Sequence, residues 1–193
     1  MAVNPAPVAL CRDLLEGSGV RVSAAVSFPL GANTVEQKVA ETRLALADGA
    51  QEIDYVVNIS ALRDDDTAMI EDEMRQILAA CRQVGALCKV TFETCFLTSI
   101  EKRVLAAIAR DVRPDFVRTS TGRGPGGATY ADVKLLRHVL RGMVPIKAAG
   151  GIRTADEALR FAKLGVTRLG SSVSASLVHA FGQRFDQERR RSA

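Results

Sequence analysis

Residues Pro145–Leu159 read PIKAAGGIRTADEAL. The apolar run Pro145–Ala148, broken only by Lys147, suits a short buried strand. It ends at Gly150-Gly151, and Thr154-x-x-Glu157 then forms a capping box that opens a helix. A strand, a glycine turn and a capped helix in such quick succession are the repeating unit of a parallel sheet covered by helices.

The same rhythm runs outward through the chain. The strand candidates are Ala2–Asn4, Val22–Phe28, Glu52–Ile59, Lys89–Glu93, Asp115–Thr119, Pro145–Ala148 and Arg168–Gly170. Between them, apolar residues recur at helical spacing: Val35, Val39, Leu44, Leu46; Met69, Met74, Ile77, Leu78; Ile100, Val104, Leu105, Ile108. Asn33-x-x-Glu36 and Thr98-x-x-Glu101 read as further capping boxes. Gly17, Gly49, Gly85, Gly142 and Gly165 stand where helices close with a left-handed residue. The pattern predicts one α/β domain over residues 1–193. Its architecture is a TIM-type (β/α) barrel with seven strands, N-terminally short of the usual eight. The alternative, an open doubly wound sheet, asks for a Gly-x-Gly-x-x-Gly turn after the first strand, and none is present.

Composition excludes several classes. With 193 residues, 47% hydrophobic and 25% charged, the chain is neither disordered nor collagen-like. No apolar run approaches the ~20 residues of a membrane helix, so no membrane partner is expected. Met1–Ala9 lacks the basic start and apolar core of a secretory signal. Cys11, Cys81, Cys88 and Cys95 show no metal-like CxxC pairing, which suits reduced thiols in a cytoplasmic protein; no metal or cofactor is expected. The net charge is +4, and Arg184, Arg189, Arg190 and Arg191 crowd a basic C-terminal tail, about 184–193, read as a solvated helix end. Aromatics are only 5% and do not interleave with the basic residues, so no nucleic-acid partner is expected. The surplus charge suits a small anionic ligand instead.

Several residues sit where chemistry is done. In a (β/α) barrel the loops after the strands build the active site, with phosphate turns after the last strands. Gly150-Gly151-Ile152-Arg153 and Gly170-Ser171-Ser172 follow the last two strands and lead into helices, which makes them anion-site candidates. A third glycine-rich turn, from Gly122-Arg123 to Gly127, follows the strand ending at Thr119. Lys147 ends a strand and should face the barrel mouth. Desolvation and nearby cations lower a lysine pKa, and the neutral amine attacks carbonyls. Equally, it can be a structural lysine paired with Asp54 or Glu93. Asp54, flanked by apolar residues within its strand, must be paired or catalytic, because an isolated buried carboxylate is too costly. His138 and His179 read as plain helix residues, and Asp64-Asp65-Asp66 as a complement to a helix dipole.

Taken together, SFPLGANTVEQKVAET, GAQEIDYVVNI, KVTFETCFLT, DFVRTSTGRGPGGAT, IKAAGGIRTADEAL and TRLGSS resemble the deoxyribose-phosphate aldolase family, in the family's order from about Val3 to Ser172. The resemblance implies a class I aldolase on an eight-strand barrel, joining acetaldehyde to glyceraldehyde 3-phosphate through a lysine imine without a metal. It implies proton relay for Asp54 and a charge-tuning role for Lys147. Phosphate contacts fall to Gly122, Gly150, Gly151, Gly170 and Ser172, with Arg123 assisting. Three positions depart from the pattern. Arg118, in Val117-Arg118-Thr119-Ser120-Thr121-Gly122, stands where the family has its imine-forming lysine, and a guanidinium cannot form that bond. The family's first strand, with its aspartate, has no counterpart. Val173 replaces a common serine.

Three functions follow as alternatives. One is an aldolase acting on a small phosphorylated aldehyde or sugar, with Lys147 taking over imine formation beside a fixed Arg118 cation. Another is an imine-free enzyme in which Arg118 and Lys147 stabilise an enolate and Asp54 moves protons. The third is a non-catalytic binder of a phosphorylated metabolite, or a regulatory or scaffold subunit. Exposed strand edges in a seven-strand barrel further predict a homodimer.

Overall fold

The structure, a computed structural model, describes residues 1–191, with side chains to Gly182. All seven expected strands form and pair in parallel in chain order. They are β1 (Ala2–Val3), β2 (Ser23–Val26), β3 (Glu52–Val56), β4 (Leu87–Thr91), β5 (Phe116–Arg118), β6 (Ile146–Ala149) and β7 (Arg168–Gly170). The helices are α1 (Val8–Leu14), α2 (Val35–Ala47), α3 (Ile59–Arg63), α4 (Thr67–Gln83), α5 (Ser99–Val112), α6 (Tyr130–Leu140), α7 (Ala155–Lys163) and α8 (Ser174–Arg191).

The sheet is strongly curled. In a flat sheet β3 and β7 would lie about 19 Å apart, at ~4.8 Å per strand step. Yet Arg168 Nη1 on β7 reaches Glu52 Oε2 on β3 at 2.8 Å. Alternation along each strand then sorts the side chains. Ile53, Tyr55, Cys88, Val90, Val117, Ile146 and Ala148 join the apolar core shared with the helices. Glu52, Asp54, Lys89, Thr91, Arg118, Lys147 and Arg168 occupy the alternate positions, on the concave face. The curl does not close: among the described residues β7 and β1 form no ladder with each other, so a seam separates them.

The boundaries show where local polarity competes with strand pattern. The run expected over Glu52–Ile59 stops at Val56, because the Asn58 side chain caps α3 by accepting from Ala61 N at 3.1 Å. At the next strand, pairing ends at Thr91 and Glu93 adopts a left-handed backbone, φ 54°. The capping boxes at Thr98 and Thr154 form as expected. That at Asn33 does not. Thr34 caps α2 with Gln37 instead, while Asn33 Oδ1 accepts from Ser27 Oγ at 2.8 Å. The five expected helix-closing glycines all have positive φ. α1 spans only Val8–Leu14, and Arg12 ties it to Asp48 O beyond α2. The basic tail continues α8 to Arg191, and the solvation expected of it lies outside the described residues. Among the described residues, no helix is long and apolar enough to cross a membrane.

Candidate active site

Register places the charged residues of neighbouring strands side by side. Arg118 pairs with Lys147 across β5 and β6, and Asp54 pairs with Lys89 across β3 and β4. Asp54 is buried at the focus of the upper layer. Its Oδ2 accepts from Arg118 Nη1 at 2.7 Å and from Lys147 Nζ at 2.7 Å. Its Oδ1 accepts from the Thr91 hydroxyl at 2.6 Å. Burial works to raise the Asp54 pKa, but the charges of Arg118, Lys147 and Lys89 outweigh it and hold the carboxyl well below the usual range. The demand that this residue be paired is met by two cations at once.

Lys147 answers to opposing forces. Burial favours its neutral form, Asp54 favours the ammonium, and the Arg118 charge opposes it; the balance lowers its pKa to about 8. Roughly one amine in ten is then neutral at pH 7, about 300-fold more often than for an ordinary lysine. Gly170 on β7 lies against this side chain, since a Cβ there would sit 3.5 Å from Lys147 Cε and 2.8 Å from Ala149 Cβ. Arg118 is tied more firmly. Its Nε donates to Ser120 O at 2.7 Å and its Nη2 to Thr121 O at 3.1 Å, while its guanidinium lies 5.3 Å from the centre of the Phe28 ring. It staples the end of β5 to the loop that follows.

Glu93, an alternative partner for Lys147 on sequence grounds, is used elsewhere. Its carboxylate accepts from the Thr121 amide at 3.1 Å and from the Thr121 hydroxyl, bracing the Gly122 turn. The turns after β5 and β6 meet closely. Gly150 has φ +88°, and a Cβ on Gly127 would fall 2.2 Å from Gly150 O, so neither position accepts a side chain without movement. Ser171 is less available than expected, because its hydroxyl donates to Ile152 O at 2.7 Å and accepts from Val173 N at 3.1 Å.

These elements line one cavity of about 1120 Å³. Arg118, Gly122, Arg123, Lys147, Gly150, Gly151, Arg153, Gly170, Ser171 and Ser172 all border it; Asp54 stands behind Arg118 and Lys147. Arg123 and Arg153 are exposed at its rim. Sequence reasoning missed a lower layer. Glu52 accepts from Lys89 Nζ at 2.7 Å and from Arg168 Nη1 at 2.8 and 2.9 Å, and Lys89 also donates to Ser23 Oγ at 3.0 Å. The available signal was that Glu52 stands two residues before Asp54 and therefore shares its face. Among the described residues, no group of three His, Cys, Asp or Glu is placed to hold a metal ion.

A parallel (β/α) barrel with a desolvated amine and glycine turns at the strand ends defines a protein of the barrel-aldolase class. The sequence model described as DeoC/LacD family aldolase matches residues 2–172. Deoxyribose-phosphate aldolase from Bacteroides thetaiotaomicron is 49% identical over 181 residues, covering 94% of this chain and 76% of that protein. Among solved structures, QR15, an aldolase, superposes with a TM-score of 0.89 at 34% identity over 95% of this chain and 81% of that one. The tetrameric deoxyribose phosphate aldolase from Aeropyrum pernix gives 0.85 at 26% identity, covering 94% and 76%. The chain belongs to the DeoC/LacD aldolase family.

Proposed function

We propose that this chain is a lyase for a small phosphorylated aldehyde or sugar, with Lys147 as the imine-forming amine. The observation that carries the reading is the Lys147 ammonium lowered to about 8 at the cavity wall, beside Arg118. The neutral amine attacks a substrate carbonyl carbon; the carbinolamine loses water to give an imine. The hydroxyl β to the imine then gives up its proton to solvent, the C–C bond breaks to release the phosphorylated aldehyde, and the bond's electron pair is drawn into the imine, leaving an enamine. Protonation and hydrolysis return the amine and release the smaller carbonyl product. Arg118 supplies the fixed positive charge that favours the neutral amine, and Asp54 with Thr91 orients both cations. The amides at Gly122, Gly150, Gly151 and Gly170, with Arg123 and Arg153, hold the phosphate. A specific observation favours the non-catalytic reading as well: Lys147 Nζ is spent on Asp54, and Arg118 on loop carbonyls.

Borohydride trapping with acetaldehyde separates the two, and an activity assay tests the Arg118 position. The wild type is expected to cleave deoxyribose phosphate weakly or not at all. Arg118→Lys, which puts an amine where the resemblance places the imine-forming lysine, raises the rate about 10- to 100-fold. Strong wild-type cleavage that survives Lys147→Ala sinks the assignment to Lys147.

We further propose a two-fold homodimer that covers the seam. The edges of β1 and β7 leave backbone groups unpaired, and Leu10 and Leu14 of α1, the helix after β1, are exposed. Light scattering at micromolar concentration is expected to give twice the chain mass; a stable monomer refutes it.

A further inference from the structure

The cavity continues past Lys147 to the opposite end of the barrel. Its wall there includes Arg21, Glu52 and Arg168. Charge at this end is unbalanced. Lys89 and Arg168 both lie within 2.8 Å of the single carboxylate of Glu52, and Arg21 approaches it at 4.0 Å. Burial works to raise the Glu52 pKa, but Lys89 and Arg168 keep it lowered, so the carboxylate stays ionised and three cations face one anion. Arg168 is held in a fixed attitude, with its guanidinium 4.5 Å from the centre of the Phe116 ring. Only its Nη1 is engaged by Glu52, which leaves a second edge of the guanidinium for another acceptor. The Arg168 side chain is 33% exposed and that of Arg21 57%, so both reach solvent in the cavity while Lys89 does not.

We propose that the cavity takes a doubly anionic ligand, with one phosphate at the glycine turns and a second phosphate or carboxylate on Arg21 and Arg168. The first half of this statement rests on the phosphate reading above. The second rests on the lower cations and the continuity of the cavity. Arg168 and Gly170 are two residues apart on β7, about 7 Å at ~3.3 Å per residue, so the two anions stand roughly 7–10 Å apart. That is the span of a chain of roughly five carbons, at ~1.5 Å per bond. The volume of about 1120 Å³ is just above the ~300–1,000 Å³ usual for small-molecule sites, which suits a ligand running the length of the barrel. Cations lining a partly enclosed cleft also focus the field on an entering anion.

The probe is pentane-1,5-bisphosphonate against pentylphosphonate, by titration calorimetry at one fixed ionic strength. The bisphosphonate is expected to bind about 10- to 100-fold more tightly. Arg168→Gln and Arg21→Gln each remove most of that advantage, while Arg75→Gln, on the outer surface of α4, removes none. Arg21 is exposed, so its variant keeps the test decisive should Arg168→Gln unfold. Equal binding of both ligands overturns the second subsite and leaves the phosphate reading standing. An advantage that persists in both arginine variants also overturns it. No binding of either ligand overturns both.

Discussion

Acetaldehyde and borohydride, added together, are expected to leave one ethyl group on each chain, and peptide mapping is expected to place it on Lys147. The amine is poised for this by burial and by Arg118. The rate of trapping should therefore climb through a midpoint near pH 8, well below the ordinary lysine value of 10.5. Lys147→Met is expected to reduce trapping at least ~10³-fold, as loss of a nucleophile does. Circular dichroism of the variant should be unchanged, since methionine fills a similar volume and relieves one buried cation. An unmodified wild-type protein that still binds pentylphosphonate would show that Lys147 forms no imine. An adduct spread over surface lysines would show the same.

Asp54→Asn is expected to lower stability by about 3–5 kcal/mol, because it leaves Arg118 and Lys147 facing each other in a buried pocket without a counter-charge. For a chain of this size the melting temperature should fall by roughly 10 °C. Adding Lys147→Met to Asp54→Asn should recover part of the loss, since one of the two unpaired charges goes. The acid limb of the wild-type stability curve has the same origin. The Asp54 carboxyl titrates below its ordinary value of 3.8 in the folded protein, so its contribution is complete above that pH. It is lost progressively as pH falls below about 4 and the proton binds the unfolded chain first. A melting temperature that is flat from pH 6 to pH 2 would contradict the pairing.

The strands were legible because the inward and outward residues of a barrel alternate against a nearly continuous apolar background. The helices were legible because Thr98, Thr154 and the closing glycines are chemical signals rather than statistical ones. What escaped was decided by competition between neighbours. Asn33 and Thr34 are both good caps, and the chain uses Thr34 because Asn33 is taken by Ser27. The strand after Glu52 was read too long because nothing in Val56-Val57-Asn58 announces that Asn58 will turn back on Ala61. Asp54 could be recognised as a residue in need of a partner, since its cost when alone is local and large. Of the lower layer only the face of Glu52 could be read, not its partners. Glu52, Lys89 and Arg168 are separated by 37 and 116 residues at their contacts, and each alone resembles an ordinary charge at a strand entrance.

The seam between β7 and β1 has a consequence for how the molecule holds together. A closed barrel is a ring, in which loosening any one strand must break contacts on both sides and surrender the constraint of closure. Among the described residues every strand pairs only with its sequence neighbours, so the sheet has two ends. Backbone pairing then propagates along a line, as in a solenoid, and its loss begins at the termini of that line. The central ladder between β3 and β4, five residue pairs long, is the farthest from fraying among the longer ladders, and it carries Asp54 and Thr91. β7, which supplies Gly170 and Arg168, is an end. The chemistry proposed for Lys147 therefore joins a rigid acid to a wall that can breathe.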